Sequence, residues 1–189
     1  PTIDHRQYME RELDMHNVHQ SFALRQRLFD NQGHSDNVVI WFTDTMPGQP
    51  KASQSLEALG VMDQWMSNIL ANPAAGVAAN KPVQAVDACF DLAGQPIARA
   101  ADVWDGVLDN RPAGICTQRF PMYTTARIEA GAPISGGIYR CALKPVARAL
   151  ADGSYGAWLP TPEQTAQLRQ IFPQGVCDYS KPDRARPPA

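Results

Sequence analysis

Residues 37 to 43 read NVVIWFT, an unbroken run of β-branched and aromatic side chains after a single polar residue. A run this short with no polar face to give to water predicts a strand covered on both sides, and such strands belong to parallel sheets. A parallel sheet needs helical crossovers, and the flanking sequence supplies them. Upstream, SFALRQRLFDNQG predicts a helix over 21–31, with Ser21 as N-cap, Phe22, Leu24, Leu28 and Phe29 on one face, and Gly33 past its end. Downstream, SQSLEALGVMDQWMSNILAN carries Leu56, Leu59, Met62, Met66, Ile69 and Leu70 near helical spacing and stops before Pro73. Residues 1–72 therefore read as helix, buried strand, helix, a fragment of an α/β fold. Only one strand is strongly marked, so its neighbours must come from weaker segments or from residues preceding Pro1.

Beyond Asn72 the character changes. Residues 73–189 are dense in Pro, Gly and turn chemistry, and they read as a loop-rich extension with short helices. Two better helices close it, LKPVARALADG and TPEQTAQLRQIF, the second with Thr161 as N-cap, Pro162 in the first turn and Glu163 beside it. A tail begins at about residue 180. All four cysteines, Cys89, Cys116, Cys141 and Cys177, fall in this half, with no C-x-x-C pair to suggest a zinc ribbon or a thioredoxin-like motif. Two disulfides fit better, paired sequentially as Cys89 with Cys116 and Cys141 with Cys177 because each closes a moderate loop. Disulfides imply an oxidising compartment, secreted or periplasmic.

The 17 basic and 19 acidic residues of the 189 nearly cancel. No basic patch points to nucleic acid, and no apolar run approaches the roughly 20 residues of a membrane span. The opening PTIDHRQYMERELD has neither the charged region nor the apolar stretch of a signal peptide and reads as the middle of a larger chain.

The simplest search for an enzyme is a search for a nucleophile. DGSYGA around Ser154 and PISGGI around Ser135 both depart from G-x-S-x-G, with Asp152 and Pro133 where the first glycine belongs. Asp14, His16 and His19 offer three readings: a metal site, a general base with its orienting carboxylate, or polar residues at the start of a helix. Neither His5 nor His34 is obviously placed to complete a ligand set.

Several separated segments then carry a resemblance. PTIDHRQYMERELDMHNVHQSFALRQRL, HSDNVVIW, CALKPV and IFPQGVCDYSKP together resemble the C-terminal portion of a tannase-like family of α/β-hydrolase proteins of largely undefined activity. The resemblance implies that the chain is the C-terminal part of a serine-dependent ester hydrolase. Its nucleophile, oxyanion hole and most of its sheet would lie in an upstream polypeptide, and its substrate would be a small-molecule or oligomeric ester. It implies His16 as triad base, Asp14 or Asp4 as the acid that orients it, and no metal or organic cofactor. Two alternatives stand beside it: a non-catalytic binding domain, and a metal-dependent hydrolase built on Asp14, His16 and His19.

Overall fold

In the computed structural model, which describes residues 1–13 and 15–185, the apolar run forms a six-residue strand with every residue buried. It is the second of four. Strands β1 (Thr2–Gln7), β2 (Val38–Thr43), β3 (Ala88–Phe90) and β4 (Pro96–Arg99) lie side by side in that order. β1 and β3 flank β2 in parallel, Ile3 opposite Val39 and Phe42 opposite Cys89, while β4 returns antiparallel to β3. A mixed α/β sheet is thus present. The weaker strands are legible only as partners: β1 has Ile3 as its one aliphatic residue among polar and charged ones, and β3 is three residues long.

Helix α1 (His19–Gln32) connects β1 to β2, and α2 (Ser55–Ala71) followed by the short α3 (Gly76–Ala79) connects β2 to β3. The helices cover opposite faces of the sheet. Because side chains alternate along a strand, Phe42 points to α1 and packs edge-on against Phe22 at 5.7 Å, with Trp104 at 4.6 Å. Trp41 points the other way into a cluster with Ala58 and Phe90, and Val39 meets Trp65 and Ala85 beneath α2. Three buried indoles each find a carbonyl: Trp41 donates to Val86, Trp65 to Val77 and Trp104 to Ile40. Each ring therefore buries its apolar area without stranding its N–H.

Two expectations are corrected in detail. Ser21 is not the N-cap of α1; the helix starts two residues earlier, Val18 occupies the cap, and Ser21 is buried inside it. The apolar stripe of α2 is not its core face either. Ala58 and Trp65 are buried, whereas Leu56, Leu59, Met66 and Leu70 are exposed. Small Ala58 lets the helix approach the sheet, and the large aliphatics are left on its flank.

Contacts divide the chain into two compact units, Pro1–Tyr123 and a second from Thr124 onward. The first includes α4 (Ile115–Arg119), which the disulfide Cys89–Cys116 ties to β3. Gly114 lies so close to the carbonyls of Asp102 and Val103 that no Cβ fits there, and this brings α4 onto that turn. The second unit contains α5 (Ala126–Glu129), β5 (Ala142–Lys144), α6 (Val146–Ala151), α7 (Pro162–Ile171) and β6 (Val176–Asp178). β5 and β6 pair antiparallel, with Leu143 opposite Cys177, and the second disulfide joins Cys141 to Cys177 beside that ladder. Both bridges are the sequential pairs. Thr161 caps α7 as expected, and Gln164 completes a reciprocal capping box with it.

Candidate functional site

Open α/β sheets present their sites beyond the carboxyl ends of the parallel strands. In the first unit the described residues that build that edge are 8–13 and 15–18 after β1 and 44–45 after β2. Tyr8 is buried, donates its hydroxyl to the Pro121 carbonyl at 2.7 Å and packs edge-on against Phe120. Burial pushes its phenol up to about 12.

Asp44, 2% exposed, accepts Arg11 at 2.6 Å on one oxygen and Arg119 at 2.8 Å on the other, and the first oxygen also takes the Thr45 N–H. Thr45 in turn donates its hydroxyl to the Tyr8 carbonyl. The two guanidiniums are about half-exposed, and Arg11 also lies over the Tyr8 ring at 4.9 Å. Asp44 is therefore a tie between segments, with both oxygens committed. The Glu12 carboxylate lies 3.3 Å from the Thr45 hydroxyl, so two guanidiniums and two carboxylates balance at the mouth of the sheet.

Glu10 fixes the same segment from the other end. It is buried, one oxygen accepts the Val18 N–H at the head of α1 at 2.6 Å, and the other is buried without a hydrogen-bond partner. Burial raises its pKa against the pull of the backbone donors. Between these ties the chain turns through Leu13, the one described non-glycine residue with positive φ, 53°. Leu13 and Met15 are each 82% exposed at the tip, and exposed His16 follows them.

The expected site residues are distributed as follows. His16 lies in this tip and His19 at the first turn of α1. Asp14 lies outside the described residues. Asp4 sits within β1 opposite Ile40, gives one oxygen to Arg6 Nε at 2.9 Å, and keeps the other buried without a partner. The Tyr8–Leu13 turn separates Asp4 from His16 in the chain. His5 is exposed on β1, and His34 lies 4.0 Å from Asp36. Among the described residues no group of three His, Cys, Asp or Glu side chains converges as a metal site.

In the second unit, Ser154 is the serine with the most elaborate surroundings. Its hydroxyl lies 2.5 Å from both Lys144 Nζ and Asp152, and Asp178 stands 3.8 Å from the same ammonium. Hydrogen bonds from Lys144 and then Ser154 draw the Asp152 carboxyl down to about 2. The ammonium is spent as a donor to Asp152 and Ser154, so this cluster braces β5 against the Asp152–Ser154 turn and does not activate a nucleophile. A cavity of about 360 Å³ lies in the first unit between α1 and the turn after β4, floored by Phe22, Phe29, Trp104 and Leu108 and rimmed by Asp105.

Arg11, Asp44, Arg119 and Glu10 were not anticipated. A signal existed for Asp44, since an acid directly after a fully apolar strand marks the carboxyl end of a parallel sheet. The arginines come from distant segments and carry no local signature.

A family described as "tannase-like family of unknown function (DUF6351)" matches residues 1–188. No curated protein and no solved structure matches. No described helix is long and apolar enough to cross a membrane, and two disulfides are compatible with an extracellular setting.

Proposed function

The chain belongs to the tannase-like family of unknown function, and from that premise we propose that it is the C-terminal part of a serine-dependent esterase-type hydrolase, supplying the base to a nucleophilic serine in a preceding polypeptide. The observation that carries this reading is the position of His16. It projects from a short loop at the carboxyl end of a parallel strand, and that loop is held at both ends by the Arg11–Asp44 pair and by Glu10 on the Val18 N–H. A general base must be held in place and yet reachable, and this loop supplies both conditions. Leu13 and Met15, exposed beside it, give the tip an apolar rim suited to packing against the polypeptide that carries the serine.

In the reaction, the serine of the partner attacks the ester carbonyl while His16 takes its proton. The base then returns the proton to the leaving alcohol, and water releases the acyl group through the same histidine. Asp14 or Asp4 orients the imidazole. The exposed donors of Arg11 and Arg119 suit an anionic group on the substrate. The apolar cavity over Phe22 and Trp104 supports a second reading, a binding module with no reaction of its own.

Labelling with a serine-directed fluorophosphonate, followed by mass spectrometry of the denatured protein, tests the assignment. The expected adduct is on a serine outside residues 1–189. Labelling of Ser154 or Ser135, or no labelling of an assembly that hydrolyses esters, overturns it.

A further inference from the structure

The cavity between α1 and the turn after β4 joins an aromatic interior to an acidic rim. Phe22 and Trp104 meet edge-on at its base, their rings 5.7 Å apart, and half-exposed Phe29 and half-buried Leu108 wall it. Because the Trp104 N–H is donated to the Ile40 carbonyl at 3.1 Å, the indole offers the cavity only carbon. At about 360 Å³ the space falls within the range of small-molecule sites.

Asp105 and Asp109 both line this cavity. Asp109 accepts the Gly106 and Arg111 N–H groups at 2.8 and 3.1 Å, and these donors hold its carboxyl below the ordinary range, so it stays ionised. Asp105 gives one oxygen to the Arg111 guanidinium at 3.3 Å, a long contact from a side chain that is 68% exposed. Such a pair is screened by water and exchanges readily for another cation. The rim is also fixed in place, since the Gly114 N–H and the Thr117 hydroxyl both donate to the Asp105 carbonyl, at 3.0 and 2.9 Å. Arg25 is the one base among the described lining residues. It is 14% exposed and gives its two terminal nitrogens to Asp87 at 2.7 and 2.6 Å. A bidentate pair of this kind is neutral as a unit and offers little to an anion. The rim therefore carries one carboxylate in excess over an aromatic hollow.

We propose that this cavity binds a small organic cation of the arylalkylammonium class, its ring lodged among Phe22, Phe29, Trp104 and Leu108 and its ammonium on Asp105 and Asp109 in place of Arg111. Half-exposed Phe29 adds a ring face near the cation. An anion of the same shape meets two carboxylates and a guanidinium already matched to Asp87. A neutral ring fills the hollow but leaves the acidic rim without a partner. A metal ion lacks a third protein ligand, since among the described residues no three His, Cys, Asp or Glu side chains converge. The cavity opens toward the amino end of β2, where Arg25 also donates to the Val38 carbonyl, whereas the loop bearing His16 follows the carboxyl end of β1. The inference rests on the second reading above, to which it gives a ligand class, and it is independent of the esterase reading.

Phenethylammonium, phenethyl alcohol and hydrocinnamate share one ring and a similar length and differ in charge. Each is titrated at low ionic strength into the whole protein labelled with fluorotryptophan, and the Trp104 resonance, assigned with Trp104→Phe, is followed by fluorine NMR. The ammonium is expected to bind about tenfold or more tightly than hydrocinnamate, with the alcohol between them. Asp105→Asn with Asp109→Asn, which keeps an oxygen for the Gly106 and Arg111 N–H groups, is expected to erase that order while the alcohol still binds. Arg111→Ala removes the competing guanidinium and is expected to tighten the ammonium about threefold. Unchanged circular dichroism spectra verify that the variants are folded. Equal affinities in the parent, an order that survives the double variant, or binding that leaves Trp104 unmoved overturns the inference. If the alcohol binds without any preference for charge, the ligand class falls and the binding-module reading stands; if none of the three moves Trp104, both fall. No arm reads turnover, so the esterase reading is tested separately.

Discussion

Two carboxylates at the carboxyl end of the sheet, Asp44 and Glu10, are each 2% exposed, and their neighbours give them different work. Asp44 is compensated by two guanidiniums and the Thr45 N–H, so its removal strands three donors. Because both arginines are about half-exposed and can turn to water, Asp44→Ala is expected to cost about 1–3 kcal/mol, below the range for a fully buried pair. Urea unfolding measures it. Glu10 has only backbone donors, and burial holds its pKa above the ordinary 4.5. The folded state then keeps the proton more firmly than the unfolded chain. Its contribution is full below that value and is lost as pH rises through the folded pKa. Glu10→Gln keeps an acceptor for Val18 and removes the charge. Its Tm is therefore expected above the parent's near about pH 7, with the gap closing toward about pH 4. The place of Asp44 after an apolar strand was legible in the sequence, but the partners of Asp44 and Glu10 were not, because the fold brings them from elsewhere. His16 was legible as a candidate base only through the resemblance to the tannase-like family, since the residues around it left a metal site and a plain helix start equally open.

At the scale of elements, strong local patterns were legible and their orientations were not. The run at β2 announced a strand buried on both faces, and the capping chemistry at Thr161 announced the start of α7. β3 and β4 were hidden in turn-rich sequence, since a strand of three or four residues leaves too short a period to read. For α2, sequence periodicity favours the larger aliphatics, yet the sheet takes Ala58 and Trp65 and leaves the leucines outside. Substitution separates the two faces. Trp65→Ala is expected to cost about 3–5 kcal/mol, whereas Leu59→Ala changes stability by no more than about 0.5 kcal/mol. Comparable losses at both positions would show that α2 is turned otherwise.

At the scale of the whole molecule, each compact unit carries its own disulfide, Cys89–Cys116 in the first and Cys141–Cys177 in the second. The sequence separations are 27 and 36, so each bridge removes similar chain entropy from its unfolded unit, about 2–4 kcal/mol. Replacing Cys141 and Cys177 with alanine is expected to lower hydrogen-exchange protection in β5 and β6 while protection in β2 is kept. The Cys89 and Cys116 pair should do the reverse. The chain belongs to the tannase-like family of unknown function, and the esterase reading proposed for it makes the loop after β1 the part that reaches the chemistry. The most direct test is steady-state hydrolysis of a chromogenic ester by the whole protein, with His16 intact or replaced. His16→Ala, folded with an unchanged Tm, is predicted to lose kcat/KM by about a thousandfold or more, as expected for a lost general base in a triad. A folded His16→Ala protein that turns over at the parent's rate would contradict the account.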